Sequence, residues 1–417
     1  MRYNNYHKHD YYSNVVQLDV TTSLEDYCKR AVELGHTTLF TTNHGTQANI
    51  FEATTLGHKY GLKVILGVES YFVANRFEKD KSNKHIILVA MNDSGAKDIN
   101  RIISEAHESG FYYKPRIDWE LIESVDPKNI IVTSACIMGL WNDEETIVRM
   151  YNKFGDNFYL EVQDHNEESQ KIANKTILEL AQKYGIKIIH ANDSHYIFPT
   201  DKSHIETATI NGKKYEVLPA DRDLFLKAKG IEYGEESNFI LDYPDSDTII
   251  QRYKEQGILN DKQIEEALNN TLVFDNAEEL TFINDDIKLP SISDTPMEDL
   301  RELVQKKWEE TKKSVPEDRW QKYEQEINYE LDIIDKTNTA NYFLIDYNIV
   351  KLAQERYGGV LTKTGRGSAP SFYVINLLRL TNIDRIKAPV TLFPTRFMSV
   401  ERILGSRSLP DRFCRVA

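Results

Sequence analysis

Long apolar runs are missing from this chain. No stretch approaches the roughly 18 consecutive apolar residues that a membrane-spanning helix needs, so no membrane partner is expected. The opening segment, MRYNNYHKHDYY, lacks the apolar centre of a secretory signal. Cysteine is scarce as well. Cys28, Cys136 and Cys414 stand far apart, which argues against a disulfide framework and fits a reducing, cytoplasmic compartment. Positive charge is in deficit, with 51 Lys and Arg against 65 Asp and Glu, a net charge of −14. A protein so charged does not grip nucleic acid with its whole surface. No internal repeat or low-complexity tract is visible.

What is present is an ordinary globular composition, 41% apolar and 28% charged over 417 residues, enough for two or three domains. The charge is unevenly spread. From Gly359 onward ten Lys and Arg face three acids, a net +7, so the residues before it carry −21. The two ends of the chain are therefore suited to different partners.

Up to about residue 195 short apolar runs alternate with amphipathic stretches. The runs are Arg2–Tyr6, Thr37–Thr42, Lys63–Val68, His85–Ala90, Asn129–Thr133, Phe158–Val162 and Lys187–Ala191. Between them lie helical patterns such as Leu24, Tyr27, Cys28 and Ala31, opened by Ser23 with Asp26 three residues on. Strand–helix alternation predicts parallel strands with crossover helices, and seven strands suggest a closed or nearly closed α/β barrel. Residues of about 201 to 290 read as an extension and linker, with a helix expected over Asp261–Asn270. Residues 291–417 open on two helix-start signals, Thr295-Pro296-Met297-Glu298 and Ser314-Val315-Pro316-Glu317. Helices are expected over Glu324–Lys336 and Tyr342–Arg356.

Nine residues with metal-ligating chemistry stand out, Asp19 among them, and most lie near the ends of these runs. His7 and His9 sit two apart after the first, so they share a face, and Asp193 and His195 repeat that spacing after the seventh. His44 follows the second run, Glu69 the third and Cys136 the fifth. His85 opens the fourth, a less comfortable fit to the same rim. Functional groups of parallel α/β barrels gather at the C-terminal ends of the strands. Imidazole, carboxylate and thiolate together suit Zn²⁺, Mn²⁺ or Fe²⁺ better than Ca²⁺ or Mg²⁺ alone. His36, His58, His107, His165, His190 and His204 fall outside the pattern and read as structural or surface residues. Cys28 reads as core.

The segments HKHDYYSN…LD, TTNHG, GVESY, KHIILVA, TSACI and NDSHY resemble the PHP (polymerase and histidinol phosphatase) domain. More broadly the chain is similar, nearly end to end, to the N-terminal part of a bacterial or phage DNA polymerase III alpha subunit. The resemblance implies a PHP-type (βα)7-like distorted barrel, then a mostly helical segment and a partial α+β polymerase palm. It implies a cluster of up to three metals on the nine residues, with 3′–5′ exonuclease or related phosphoesterase activity, in a bacterial cell or a phage-infected host. Asn43 stands where the family often has Asp, which implies retuning of the site rather than its loss.

Gly365-Arg366-Gly367-Ser368, preceded by Lys363 and followed by a helix-like run, has the make-up of an anion cradle: glycines admit a phosphate to the backbone N–H groups, a helix N-terminus favours negative charge, and Arg366 adds donors. By the resemblance, Arg366, Gly367 and Ser368 contact the phosphates of an incoming dNTP, with Lys363 and Arg396 as further candidates and DNA as the partner. The family's Pro-Asp-x-Asp motif appears here as Pro410-Asp411-Arg412-Phe413, so Asp411 stands for the first carboxylate and Phe413 replaces the second. Two-metal nucleotidyl transfer needs paired carboxylates to hold Mg²⁺. The chain alone is therefore not expected to polymerise DNA; a second polypeptide completing the palm, an interrupted gene or a truncated product would each account for the pattern.

Overall fold

A computed structural model describes residues 1–197, 206–210, 213–217, 229–230, 239–283, 290–361 and 367–406. The chain divides into two compact units, Met1–Ile283 and Asn284–Ala417.

Nine strands organise the described part of the first unit's barrel: β1 (Thr38–Phe40), β2 (Lys63–Ile65), β3 (Gly67–Phe72), β4 (Lys84–Ala90), β5 (Phe111–Tyr112), β6 (Lys114–Ile117), β7 (Ile130–Thr133), β8 (Phe158–Val162) and β9 (Ile188–His190). Seven form one sheet in the order β5-β6-β3-β4-β7-β8-β9, and β1 pairs with β2 in parallel. Two parallel bridges close the ring. Lys8 pairs with Ser194 just past β9, and His44, just past β1, pairs with Glu69 in β3. The N-terminal segment also lies against the extension of β1, where the Thr42 hydroxyl bonds the carbonyls of Tyr6 and Lys8. Seven staves therefore surround the interior, with β2 and β3 acting as one stave interrupted at Leu66. The first stave, read as a strand over Arg2–Tyr6, is extended chain held by its bridge at Lys8.

The strands read as continuous apolar runs because both faces are buried. Phe40, Ile65, Ile87, Val89, Ile131, Tyr159 and Ile189 point inward, where Phe274 joins them. Leu39, Leu88, Val132 and Leu160 point outward into the layer of helices. That layer includes Leu24–Glu33, where the Ser23 hydroxyl accepts the Asp26 N–H as its pattern predicts. It also includes Asp261–Asn270, opened by a reciprocal Asn260/Gln263 capping box. Cys28 is core, as read, and burial pushes its thiol up to about 11.

One expectation fails. The strands are not all parallel: β4 runs antiparallel to both β3 and β7. The start of β4 therefore lies at the same end of the barrel as the C-terminal ends of its parallel neighbours. Tyr71, near the end of β3, pairs with His85. The awkward position of His85 in the sequence is resolved by that reversal.

Among its described residues the second unit is helical, over Pro296–Thr311, Trp320–Lys336, Ala340–Tyr357, Tyr373–Leu377 and Val400–Ser406. Trp308 stacks on Tyr323, and Phe343, Phe372 and Phe397 pack in the same core. The Ser314 signal does not cap a helix; its hydroxyl bonds back to Thr311, and a short 3-10 turn over Glu317–Arg319 leads into the next helix.

Candidate metal centre

All nine predicted ligands meet at one end of the barrel interior, and all nine are buried. Their donor atoms fall into three neighbouring groups: His9, His44 and His195; His7, His9 and Glu69; and Glu69, His85 and Cys136. Within each group the donor atoms lie within 4.8 Å of one another. His9 joins the first two groups and Glu69 the last two. Two carboxylates complete the arrangement. Asp19 Oδ2 lies 3.2 Å from His44 Nε2 and 3.4 Å from His195 Nε2. Asp193 Oδ1 lies 3.1 Å from Nε2 of both His7 and His9. In the third group, His85 Nδ1 is 2.8 Å from Glu69 Oε1 and 3.6 Å from Cys136 Sγ.

Local backbone supports this convergence. Asp193 has φ of 51° and Ala135, beside Cys136, has φ of 57°, left-handed conformations that cost a non-glycine residue about 1–3 kcal/mol and recur at functional sites. Gly45, after His44, also has positive φ, and a Cβ there would lie 2.7 Å from Pro115 Cγ.

The electrostatics are those of a site that wants cations. Burial opposes ionisation of Asp19, Glu69 and Asp193, yet the surrounding imidazoles hold all three well below the carboxylate range. His44 rises to about 10: burial works against the charge, but Asp19 and Glu69 outweigh it. His7 rises likewise beside Asp193 and Glu161. His9 falls to about 3 through burial and the neighbouring His44. Protons on His7 and His44 would balance the buried carboxylates, and a divalent ion held there would take over that role with proton release. Nε2 of His7, His9 and His195 are buried without a hydrogen bond among the described residues, as ligand nitrogens facing an ion would be. The donor set fits divalent metal ions.

Sequence reasoning missed the residues that orient these ligands. Glu161, at the interior face of β8, lies 2.9 Å from His7 Nδ1 and accepts from Tyr6 Oη (2.6 Å), Thr133 Oγ1 (3.0 Å) and Gln163 Nε2 (2.8 Å). It forms with His7 the carboxylate–histidine pair that would fix a metal-ligating imidazole. The available signal was an acid inside the apolar run Phe158–Val162. His9 Nδ1 meets Ser13 Oγ at 3.2 Å, and His195 Nδ1 donates to the Asp193 carbonyl. Asn43 accepts from Ser13 Oγ and the Asp10 N–H while its amide donates to Asp10 Oδ1. A carboxylate at position 43 would face Asp10 instead. Of the other histidines, His36 and His190 bond tyrosine hydroxyls in the core and His107 bonds the Gly45 carbonyl. His204 lies outside the described residues.

In the second unit, Lys363, Arg366 and Asp411 lie outside the described residues. Gly367 has φ of 79°, which suits a tight turn, and Ser368 is half-buried before a 3-10 turn over Ala369–Ser371. Arg396 is exposed, next to Phe397, whose ring packs edge-on against Phe372 at 5.1 Å. The helix N-terminus expected to favour a phosphate is already taken. The Glu330 carboxylate accepts the N–H groups of Tyr373 (2.8 Å) and Val374 (2.7 Å) and is paired with Arg385.

Residues 5–165 match the PHP domain family, and residues 298–411 match the bacterial DNA polymerase III alpha NTPase domain. Over nearly its whole length the chain is similar to bacterial DNA polymerase III alpha subunits. It is 28% identical to DNA polymerase III subunit alpha of Aquifex aeolicus, across 94% of this chain and 34% of that relative. The same subunit of Campylobacter jejuni is 27% identical across 97% and 35%, and that of Borreliella burgdorferi 28% across 98% and 35%. The chain thus spans about a third of the length of these relatives of the polymerase family. Its PHP match ends at residue 165, yet Asp193 and His195, further along the barrel, lie against His9 and Asp19 in the same donor cluster. No helix among the described residues is long and apolar enough to cross a membrane.

Proposed function

We propose that the barrel of this chain is a metal-dependent phosphoesterase, acting as a 3′–5′ exonuclease, within a polypeptide of DNA replication. The observation that carries this is the joining of three donor groups through the shared residues His9 and Glu69. His7, His9, Asp19, His44, Glu69, His85, Cys136, Asp193 and His195 would hold up to three divalent ions, with Zn²⁺, Mn²⁺ and Fe²⁺ the candidates. When bound, such ions lower the pKa of a bridging water and neutralise charge on a phosphoryl oxygen. The protein's own contribution is orientation and dryness: Glu161 fixes the His7 tautomer, Ser13 braces His9, and the buried walls exclude bulk water.

A second proposal concerns the polymerase half. DNA and dNTP are its proposed partners, with Lys363, Arg366, Gly367, Ser368 and Arg396 near the phosphates. Asp411 is the matching carboxylate, and Mg²⁺ would serve polymerase chemistry if a partner completes the palm. The occupied helix N-terminus at Tyr373 moves the expected phosphate contact onto the turn and its cations. A nuclease assay with Mn²⁺, comparing the protein with His9→Ala, tests the main reading. Loss of activity in the variant supports it; equal activity in both rejects it. Primer extension by the chain mixed with a candidate C-terminal polypeptide tests the second.

A further inference from the structure

Beside the metal centre stands a hairpin, β5–β6, whose inner half is fixed and whose tip is bare. Lys114 Nζ donates to Gln17 Oε1 at 2.6 Å, and Gln17 in turn donates to Asp19 Oδ2 at 2.9 Å. The same ammonium lies 5.0 Å above the Tyr71 ring, which meets His85 edge-on at 5.1 Å. Pro115 fills the space over Gly45, and the buried Arg116 guanidinium bonds the carbonyls of Arg76, Glu78, Asp80 and Gly110. So firm a base contrasts with its apex. Tyr113 is 64% exposed and Phe111 59% exposed, although both are large aromatics. Tyr113 also holds φ of 63°, a strained conformation for a ring-bearing residue, with Lys81 Nζ 4.0 Å over its ring.

Two exposed lysines, Lys79 and Lys81, stand beside the tip, while Arg76 is buried against Asp118 and Lys84 pairs with Asp143. Exposed aromatic rings interleaved with lysines, on a rigid support, are the physical make-up of a surface that stacks unpaired bases and tracks a phosphate backbone. A small phosphoester would have no use for it. Resting on the phosphoesterase reading above, we propose that Tyr113 and Phe111, with Lys81 and Lys114, form a lip that binds single-stranded nucleic acid next to the metal ligands. Tyr113 stacks a base, and Lys114 reaches toward the phosphate leading into the site.

The test is fluorescence anisotropy of the full chain with a fluorescein-labelled oligothymidylate at fixed, low salt, alongside hydrolysis of bis(p-nitrophenyl) phosphate by the wild-type protein with Mn²⁺. Tyr113→Gly removes the ring and relieves the strain, so its melting temperature should hold or rise while Kd weakens about five- to fiftyfold. Tyr113→Phe keeps the ring and should bind within about twofold of wild type. Equal Kd for wild type and Tyr113→Gly, or an equal loss in Tyr113→Phe, overturns the lip. Diester hydrolysis without oligothymidylate binding also overturns the lip but leaves the phosphoesterase standing. Binding that depends on the Tyr113 ring, with no diester hydrolysis, upholds the lip and rejects the phosphoesterase.

Discussion

Replacing Glu161 is the most informative perturbation of the metal centre that leaves every proposed ligand in place. Its carboxylate is buried and meets four partners: Tyr6 Oη, Thr133 Oγ1, Gln163 Nε2 and His7 Nδ1. Glu161→Gln keeps the volume. Its amide oxygen can remain beside His7 Nδ1 and Gln163 Nε2, while its NH₂ turns to the two hydroxyls, which can rotate to accept. The cost to folding should therefore be small, about 1–2 kcal/mol. Glu161→Ala strands all four partners in the interior and should cost about 3–5 kcal/mol. For metal affinity the argument turns on His7. Without the negative charge behind Nδ1 the imidazole is a weaker donor with a less certain tautomer, and loss of such a partner typically lowers metal affinity about 10–100-fold. Competition against a chromophoric chelator, titrated on Glu161→Gln and wild type, reads this directly. Unchanged affinity for every ion bound, in a variant shown to be folded, would refute the claim that Glu161 orients a ligand.

Three further outcomes follow from other parts of the molecule. Burial raises Asp164 to about 7, opposed in part by Arg252, so in the folded protein it stays protonated where the unfolded chain has already ionised. Its contribution to stability is therefore lost as pH rises from about 4 to about 7, by at most roughly 4 kcal/mol. Asp164→Asn should gain stability over wild type at pH 8 and little at pH 5 in denaturant titrations; a pH-independent difference would contradict this. Gly45→Ala places a Cβ against Pro115 at a residue with φ of 53°, and should lower the melting temperature by several degrees, for a cost of about 2–4 kcal/mol. An unchanged melt would show that the hairpin is not fixed there. Glu330→Ala leaves the Tyr373 and Val374 N–H groups unpaired and Arg385 with Glu326 as its remaining carboxylate, so the second unit should lose about 2–4 kcal/mol, measured by hydrogen exchange at the Tyr373–Leu377 helix; protection equal to wild type would refute the capping role.

The barrel was legible because its strands are buried on both faces and stand out as apolar runs between amphipathic stretches. Strand direction was not, since alternation of side chains is the same read either way; only the misplaced His85 hinted that β4 is reversed. The nine candidate ligands were legible through their chemistry and their positions relative to the runs. Their support was harder. Glu161 is one acid in one strand until folding sets it behind His7, and Gln17, bonded to Asp19, meets Lys114 from 97 positions away in sequence. In the second unit, Glu330 reaches the Tyr373 N–H from 43 residues away, so the occupied helix end could not be read from the glycine-rich turn that precedes it. Lys363, Arg366 and Asp411 were read from motif alone, and their contacts lie beyond the described residues.

The central claim is that one end of this barrel holds a multinuclear metal centre. Elemental analysis of the protein, purified without chelator, tests it most directly. More than one transition-metal ion per chain is expected, up to the three its donor groups can hold, with a loss of bound metal in His9→Ala, since His9 serves two groups. Less than one ion per chain, or a His9→Ala variant that retains the full content, would contradict it.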